Sequence, residues 1–98
     1  MSRKPPERRV VKCAGREFAL LIYSEHEGLA VTRVEDEYVY SVTHLKSSMR
    51  IGPSMRYRTT AQRRLDALLP LTDWTASGRA VLKQIDRAAV QRVIEATK

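Results

Sequence analysis

The stretch LAVTRVEDEYVYSVTHL, residues 29–45, places two runs rich in β-branched and aromatic residues, Leu29–Glu35 and Tyr38–Leu45, on either side of the acidic pair Asp36-Glu37. Runs of this composition and length, divided by turn-forming residues, predict two antiparallel strands. The same pattern extends upstream. In RVVKCAGREFALLIYSE, residues 9–25, two apolar runs flank Ala14-Gly15, a hairpin turn because glycine accepts a positive φ, and His26-Glu27-Gly28 makes the next turn. Downstream, Lys46-Ser47-Ser48 is a further turn. An edge strand then follows near Gly52-Pro53, a site that a central strand would not accept.

Successive side chains of a strand face opposite ways, which puts Phe18, Leu20 and Ile22 on one face and pairs Leu29 with Val31. Tyr38-Leu45 is ambiguous by this test: Tyr38, Tyr40, Val42 and His44 alternate with Val39, Ser41, Thr43 and Leu45. The short polar residues Thr32, Ser41 and Thr43 leave one sheet face available to water or a ligand.

The period changes at Thr59. Thr59 or Thr60 caps a helix in which Ala61, Leu65, Leu68 and Leu69 recur at helical spacing until Pro70 ends it. Trp74 anchors the connector that follows. A second helix runs from about Ser77 to Ala96, with the stripe Leu82, Ile85, Ala89, Val93 on one side and Arg79, Lys83, Arg87 and Arg92 outward, Asp86 and Glu95 being their partners. The expected fold is therefore α+β: a small antiparallel β-meander of 3–5 strands followed by two C-terminal helices. Residues 1–9, with two prolines and four bases, form a flexible basic arm, and residues 10–98 a single α+β domain.

At 98 residues the chain holds one core, and its 43% hydrophobic and 30% charged residues are those of a globular protein. No run is apolar enough to span a membrane and the N-terminus lacks the apolar stretch of a signal peptide, so no membrane association and a cytoplasmic location are expected. One cysteine, Cys13, rules out an internal disulfide framework and a thiolate zinc cluster. His26 and His44 lack metal-site spacing and read as structural. Cys13 carries no local signature of a nucleophile, and no glycine-rich phosphate loop is present. The expectation is a non-enzymatic protein with no metal and no cofactor.

The net charge of +7 is unevenly placed. Residues 1–16 hold six Lys/Arg against Glu7, residues 17–45 hold Arg33 against six acids, and residues 46–64 hold six bases and no acid. Such blocks make a directional field that suits an anionic partner. The candidate contacts are Lys46, Arg50, Arg56, Arg58, Thr59, Thr60, Arg63 and Arg64, with Arg3, Lys4, Arg8 and Arg9 of the arm. In MRYR, residues 55–58, strand alternation turns Arg56 and Arg58 one way while Met55 and Tyr57 pack the other way.

Two readings follow. The first is a small nucleic-acid-binding accessory or regulatory protein that grips phosphates through the arm and the Arg-rich segment. The alternative is a protein-binding module or inhibitor, of the kind mobile elements encode, docking on an acidic protein surface of a larger nucleic-acid-handling complex. A homodimer through an edge strand or the last helix is a third arrangement. Single-strand binding ranks below duplex or structured RNA, because the sheet lacks an aromatic-rich stacking motif and Tyr38 and Tyr40 read as core.

Overall fold

The structure, a computed structural model, describes residues 5–98. Five strands, β1 (Glu7–Cys13), β2 (Arg16–His26), β3 (Leu29–Val34), β4 (Ser41–His44) and β5 (Met49–Arg50), form one antiparallel sheet in the order of the chain. Helices α1 (Arg58–Leu68), α2 (Gly78–Gln84) and α3 (Arg87–Ala96) follow, with a short 3-10 turn over Leu69–Leu71. The result is an α+β meander with C-terminal helices, as the residue pattern predicts.

Ala14 and Gly15, both at positive φ, make the β1–β2 turn. β1 begins at Glu7 rather than Val10, so Arg8 and Arg9, expected in a free arm, lie in a strand and pair with Leu21 and Leu20 of β2. The unbroken run of charged residues Glu7-Arg8-Arg9 concealed an edge strand, whose side chains can stay in water while its backbone bonds to one neighbour.

The β4 ambiguity is resolved toward the helices. Leu29, Val31 and Val42 pack with Ala61, Leu65, Leu68, Trp74 and Val81 in the main core. Thr32 and Thr43 share the other face, where their hydroxyls meet at 2.7 Å and stay buried. β4 begins at Ser41; Tyr40 instead makes an isolated antiparallel bridge to Met55. Trp74 anchors the connector as expected: it is buried, and its indole Nε1–H donates to the Leu68 carbonyl at 2.8 Å.

Two helix boundaries differ from the expectation. α1 starts at Arg58 with Tyr57 at its N-cap and no side-chain cap, so Thr59 and Thr60 lie inside the first turn rather than capping it. The predicted second helix is two helices. Ile85 turns extended, and Asp86 accepts from the amides of Ala88 at 3.0 Å and Ala89 at 3.3 Å, starting α3 as its N-cap. An aspartate that caps a new helix competes with continuation of the old one. The break also dissolves the apolar stripe, leaving Leu82 62% exposed.

Candidate nucleic-acid interface

The site is built where the chain leaves the sheet for α1. The amides of Tyr40 and Met55 each donate to the other's carbonyl at 2.7 Å, which holds Met55 in the core and fixes the path of residues 53–57. Beyond that bridge Arg56, Tyr57, Arg58, Thr59 and Arg63 are exposed and Thr60 is half-buried. Tyr57 does not pack with Met55 as strand alternation predicted, because the extended path ends there and Arg58 is already helical.

Arg58 lies over the ring of Tyr23, its guanidinium carbon 5.2 Å from the ring centroid. A cation at this height is drawn to the negative face of the ring, which steadies a long side chain without removing its charge. Tyr23 meets Tyr40 edge to face at 5.4 Å and accepts a hydrogen bond from Arg33 Nε at 3.1 Å. That bond is the main cause that raises the Arg33 guanidinium above its ordinary affinity for protons, with smaller contributions from Tyr40 and Tyr38 nearby. Arg33 also donates to the carbonyls of Glu35 and Glu37 at 3.2 and 2.6 Å.

The remaining candidates separate. Lys46 stands exposed in the β4–β5 turn. Arg50, cross-strand from Thr43, donates to Ser54 Oγ at 3.0 Å and lines a groove of about 790 Å³ on the face away from the helices. Arg8 and Arg16 share that groove with Glu17, Glu35, Asp36 and Glu37, so its rim carries both signs. A polyanion gains less there than at the start of α1.

Arg64 is a correction. Placed among the phosphate contacts by its neighbours in sequence, it is fully buried, 0% exposed. Its Nε donates to Thr97 Oγ1 at 3.0 Å, one terminal nitrogen to the carbonyls of Ile51 and Pro53 at 3.4 and 2.7 Å, and the other to those of Ile94 and Thr97 at 3.5 and 3.1 Å. Burial lowers the proton affinity of this guanidinium, and no carboxylate appears among these partners. The end of α3 supplies the opposite charge instead, since the last carbonyls of a helix carry the negative pole of its dipole. Gly52, at φ +81°, lets the 51–53 loop approach: a Cβ there would stand 2.9 Å from the guanidinium. The signal was present in the helix period. Arg64 is three residues after Ala61 and four before Leu68, both buried, so it lies on the apolar side of α1.

The arm candidates also change character. Arg3 and Lys4 lie outside the described residues. Arg8 donates to both carboxylate oxygens of Glu35, at 2.6 and 3.3 Å, and Arg9 pairs with Glu7 at 2.7 Å and stands 3.9 Å from Glu25. Among the described residues the only other ion pair joins Lys98 to Glu95. Glu95 is thus matched within its own helix end, and Asp86 serves as a cap, so neither partners the outward cations of α2 and α3.

The Arg8 bond, with its positive charge, holds the Glu35 carboxyl below its ordinary pKa. A depressed carboxylate stabilises the fold above its unfolded pKa and loses that contribution as pH falls through the folded value. The difference in Tm between the protein and Glu35→Gln is therefore expected to be present at neutral pH and to vanish in acid, below the carboxylate range. Thermal denaturation over a pH series checks this; a difference that persists in acid contradicts the ion pair as its cause.

His44 is committed to the fold. Its Nε2 faces the carbonyls of Trp74 and Ala76 at 2.9 and 3.0 Å, and Nδ1 meets Ser47 Oγ at 2.7 Å. Nε2 therefore carries the proton. Among the described residues no three His, Cys, Asp or Glu side chains are placed to hold a metal, and no helix is long and apolar enough to cross a membrane.

Comparison with protein-family models, with curated proteins and with solved structures finds no match.

Proposed function

We propose that the protein is a small, non-enzymatic nucleic-acid-binding accessory or regulatory protein of the cytoplasm that holds phosphates with Arg56, Arg58 and Arg63. One observation carries this reading. These three guanidiniums are exposed, and among the described residues none has a carboxylate within ion-pair distance, whereas Arg8 and Arg9 are matched by acids. Exposed cations left unneutralised in one short segment create the local positive field that a phosphate backbone requires. Arg64 takes no part in binding here, and Arg50 and Lys46 lie to the side.

The test is fluorescence anisotropy with labelled nucleic acid over a salt series, comparing the protein with its Arg56→Ala/Arg58→Ala/Arg63→Ala variant. Each phosphate contact contributes about −0.9 to the log–log salt slope on duplex DNA, so the triple variant is expected to bind more weakly with a slope shallower by about three. Equal affinity and equal slope in the two proteins would remove this surface from the reading. No binding by either would remove nucleic acid altogether and leave an acidic protein surface as the partner to seek.

A further inference from the structure

The phosphate-binding surface has aromatic neighbours that the strand pattern assigned to the core. Tyr38 is 89% exposed and Tyr57 62% exposed. The antiparallel bridge between Tyr40 and Met55 explains their placement. Tyr38 lies two residues before Tyr40 and Tyr57 two residues after Met55, so the two phenols belong to the same end of that bridge. Arg56 and Arg58 flank Tyr57 in the chain, and Arg58 covers Tyr23, which touches Tyr40. Tyr57 thus stands in the chain between two guanidiniums that no carboxylate matches among the described residues, at the end of the bridge to which Tyr38 also belongs.

A single exposed tyrosine needs no explanation, since much of any protein surface is apolar. Two of them beside unneutralised arginines are a combination suited to bases as well as phosphates. In a duplex the base faces are stacked on one another and inaccessible; in a single strand they are free to stack on a phenol ring while the backbone follows the cations.

We propose that Tyr38 and Tyr57 form a stacking platform beside Arg56 and Arg58, and that the partner of this surface is single-stranded nucleic acid. This rests on the reading that the arginines hold phosphates, and it reverses the preference for duplex drawn from sequence. Asp36 and Glu37 precede Tyr38 and are exposed, so the backbone of the strand passes on the Arg56–Arg58 side while a base covers Tyr38. The two acids bias the path and, by repelling phosphate, oppose binding.

The experiment uses the full chain, a labelled oligothymidylate and a hairpin duplex of equal length. Tyr38→Ala and Tyr57→Ala are each expected to weaken binding to the single strand by about tenfold and to leave the duplex unaffected, because stacking on one ring is worth that order of affinity. Tyr38→Phe and Tyr57→Phe keep the ring and are expected to bind as the parent does. Asp36→Asn/Glu37→Gln is expected to tighten the single strand. Unchanged circular dichroism in the alanine variants separates loss of contact from loss of fold. If the alanine variants bind the single strand as the parent does while the arginine variant does not, the platform is wrong and the phosphate surface stands. If the parent binds neither probe, both fall.

Discussion

Replacing Arg64 by alanine is expected to destabilise the domain by about 3–5 kcal/mol, a large share of the roughly 5–15 kcal/mol that holds a domain of this kind together. The loss has two sources. Truncation empties the space between α1, α3 and the 51–53 loop, and it strips donors from the carbonyls of Ile51, Pro53, Ile94 and Thr97, which then lie in a poorly hydrated position. Arg64→Met separates the two, since it refills the stem volume but restores no donor, and it should recover only part of the loss. Arg64→Lys should not rescue. A lysine has three donors on one nitrogen and cannot reach partners spread around a planar fork. Thermal denaturation followed by circular dichroism reads the effect as a fall in Tm of about 12 °C or more. Variants that melt with the parent but lose nucleic acid would make Arg64 a surface contact after all.

Gly28→Ala is expected to be comparably damaging, at about 3–5 kcal/mol, for a different reason. Gly28 sits at φ +94°, and a Cβ added there would run into the backbone carbonyl of Trp74, standing 2.7 Å from its carbon. The obstacle is backbone and cannot rotate away. The same carbonyl faces His44 Nε2, and the Gly28 carbonyl accepts from the Leu45 amide at 2.9 Å, so the β2–β3 turn, the end of β4 and the Trp74 loop meet at one point. Relieving the clash moves all three. Trp74 is the only tryptophan, and its emission should shift to the red as the loop lifts. Gly15→Ala is the control: its φ is +79° but nothing lies within 4 Å of a Cβ, so only the dihedral cost of about 1–2 kcal/mol remains. Equal losses at the two glycines would mean that the Trp74 contact does not matter.

These two sites mark where the sequence was legible and where it was not. The meander was readable because β-branched runs and turn residues are local signals, and Ala14-Gly15 shows them with no tertiary help. The break in the predicted long helix was missed because Asp86 was given to an ion pair, although an aspartate followed by small helix-forming residues also announces an N-cap. Arg64 was misjudged for a deeper reason. Linear charge counting treats neighbouring arginines alike, whereas Arg63 and Arg64 lie about 100° apart on a helix, one in water and the other in the core. Besides the 51–53 loop, what receives Arg64 is the end of α3, with Thr97 more than thirty residues away in the chain, and no local pattern announces that meeting. Tyr38 and Tyr57 were hidden by the opposite error, in which alternation was continued past the points where β4 and the 53–57 segment stop being regular.

On the proposed function the arginine-rich segment is divided, with Arg56, Arg58 and Arg63 serving a nucleic-acid partner and Arg64 serving the fold. The most direct test is a proton–nitrogen NMR spectrum of the arginine Nε–H groups during titration with oligothymidylate. The expectation is that the signals of Arg56, Arg58 and Arg63 move, while that of Arg64, hydrogen-bonded to Thr97 Oγ1, is protected from exchange with water and stays in place. Movement of Arg64 with the others, or shifts confined to Arg8, Arg16 and Arg50 around the groove, would contradict it.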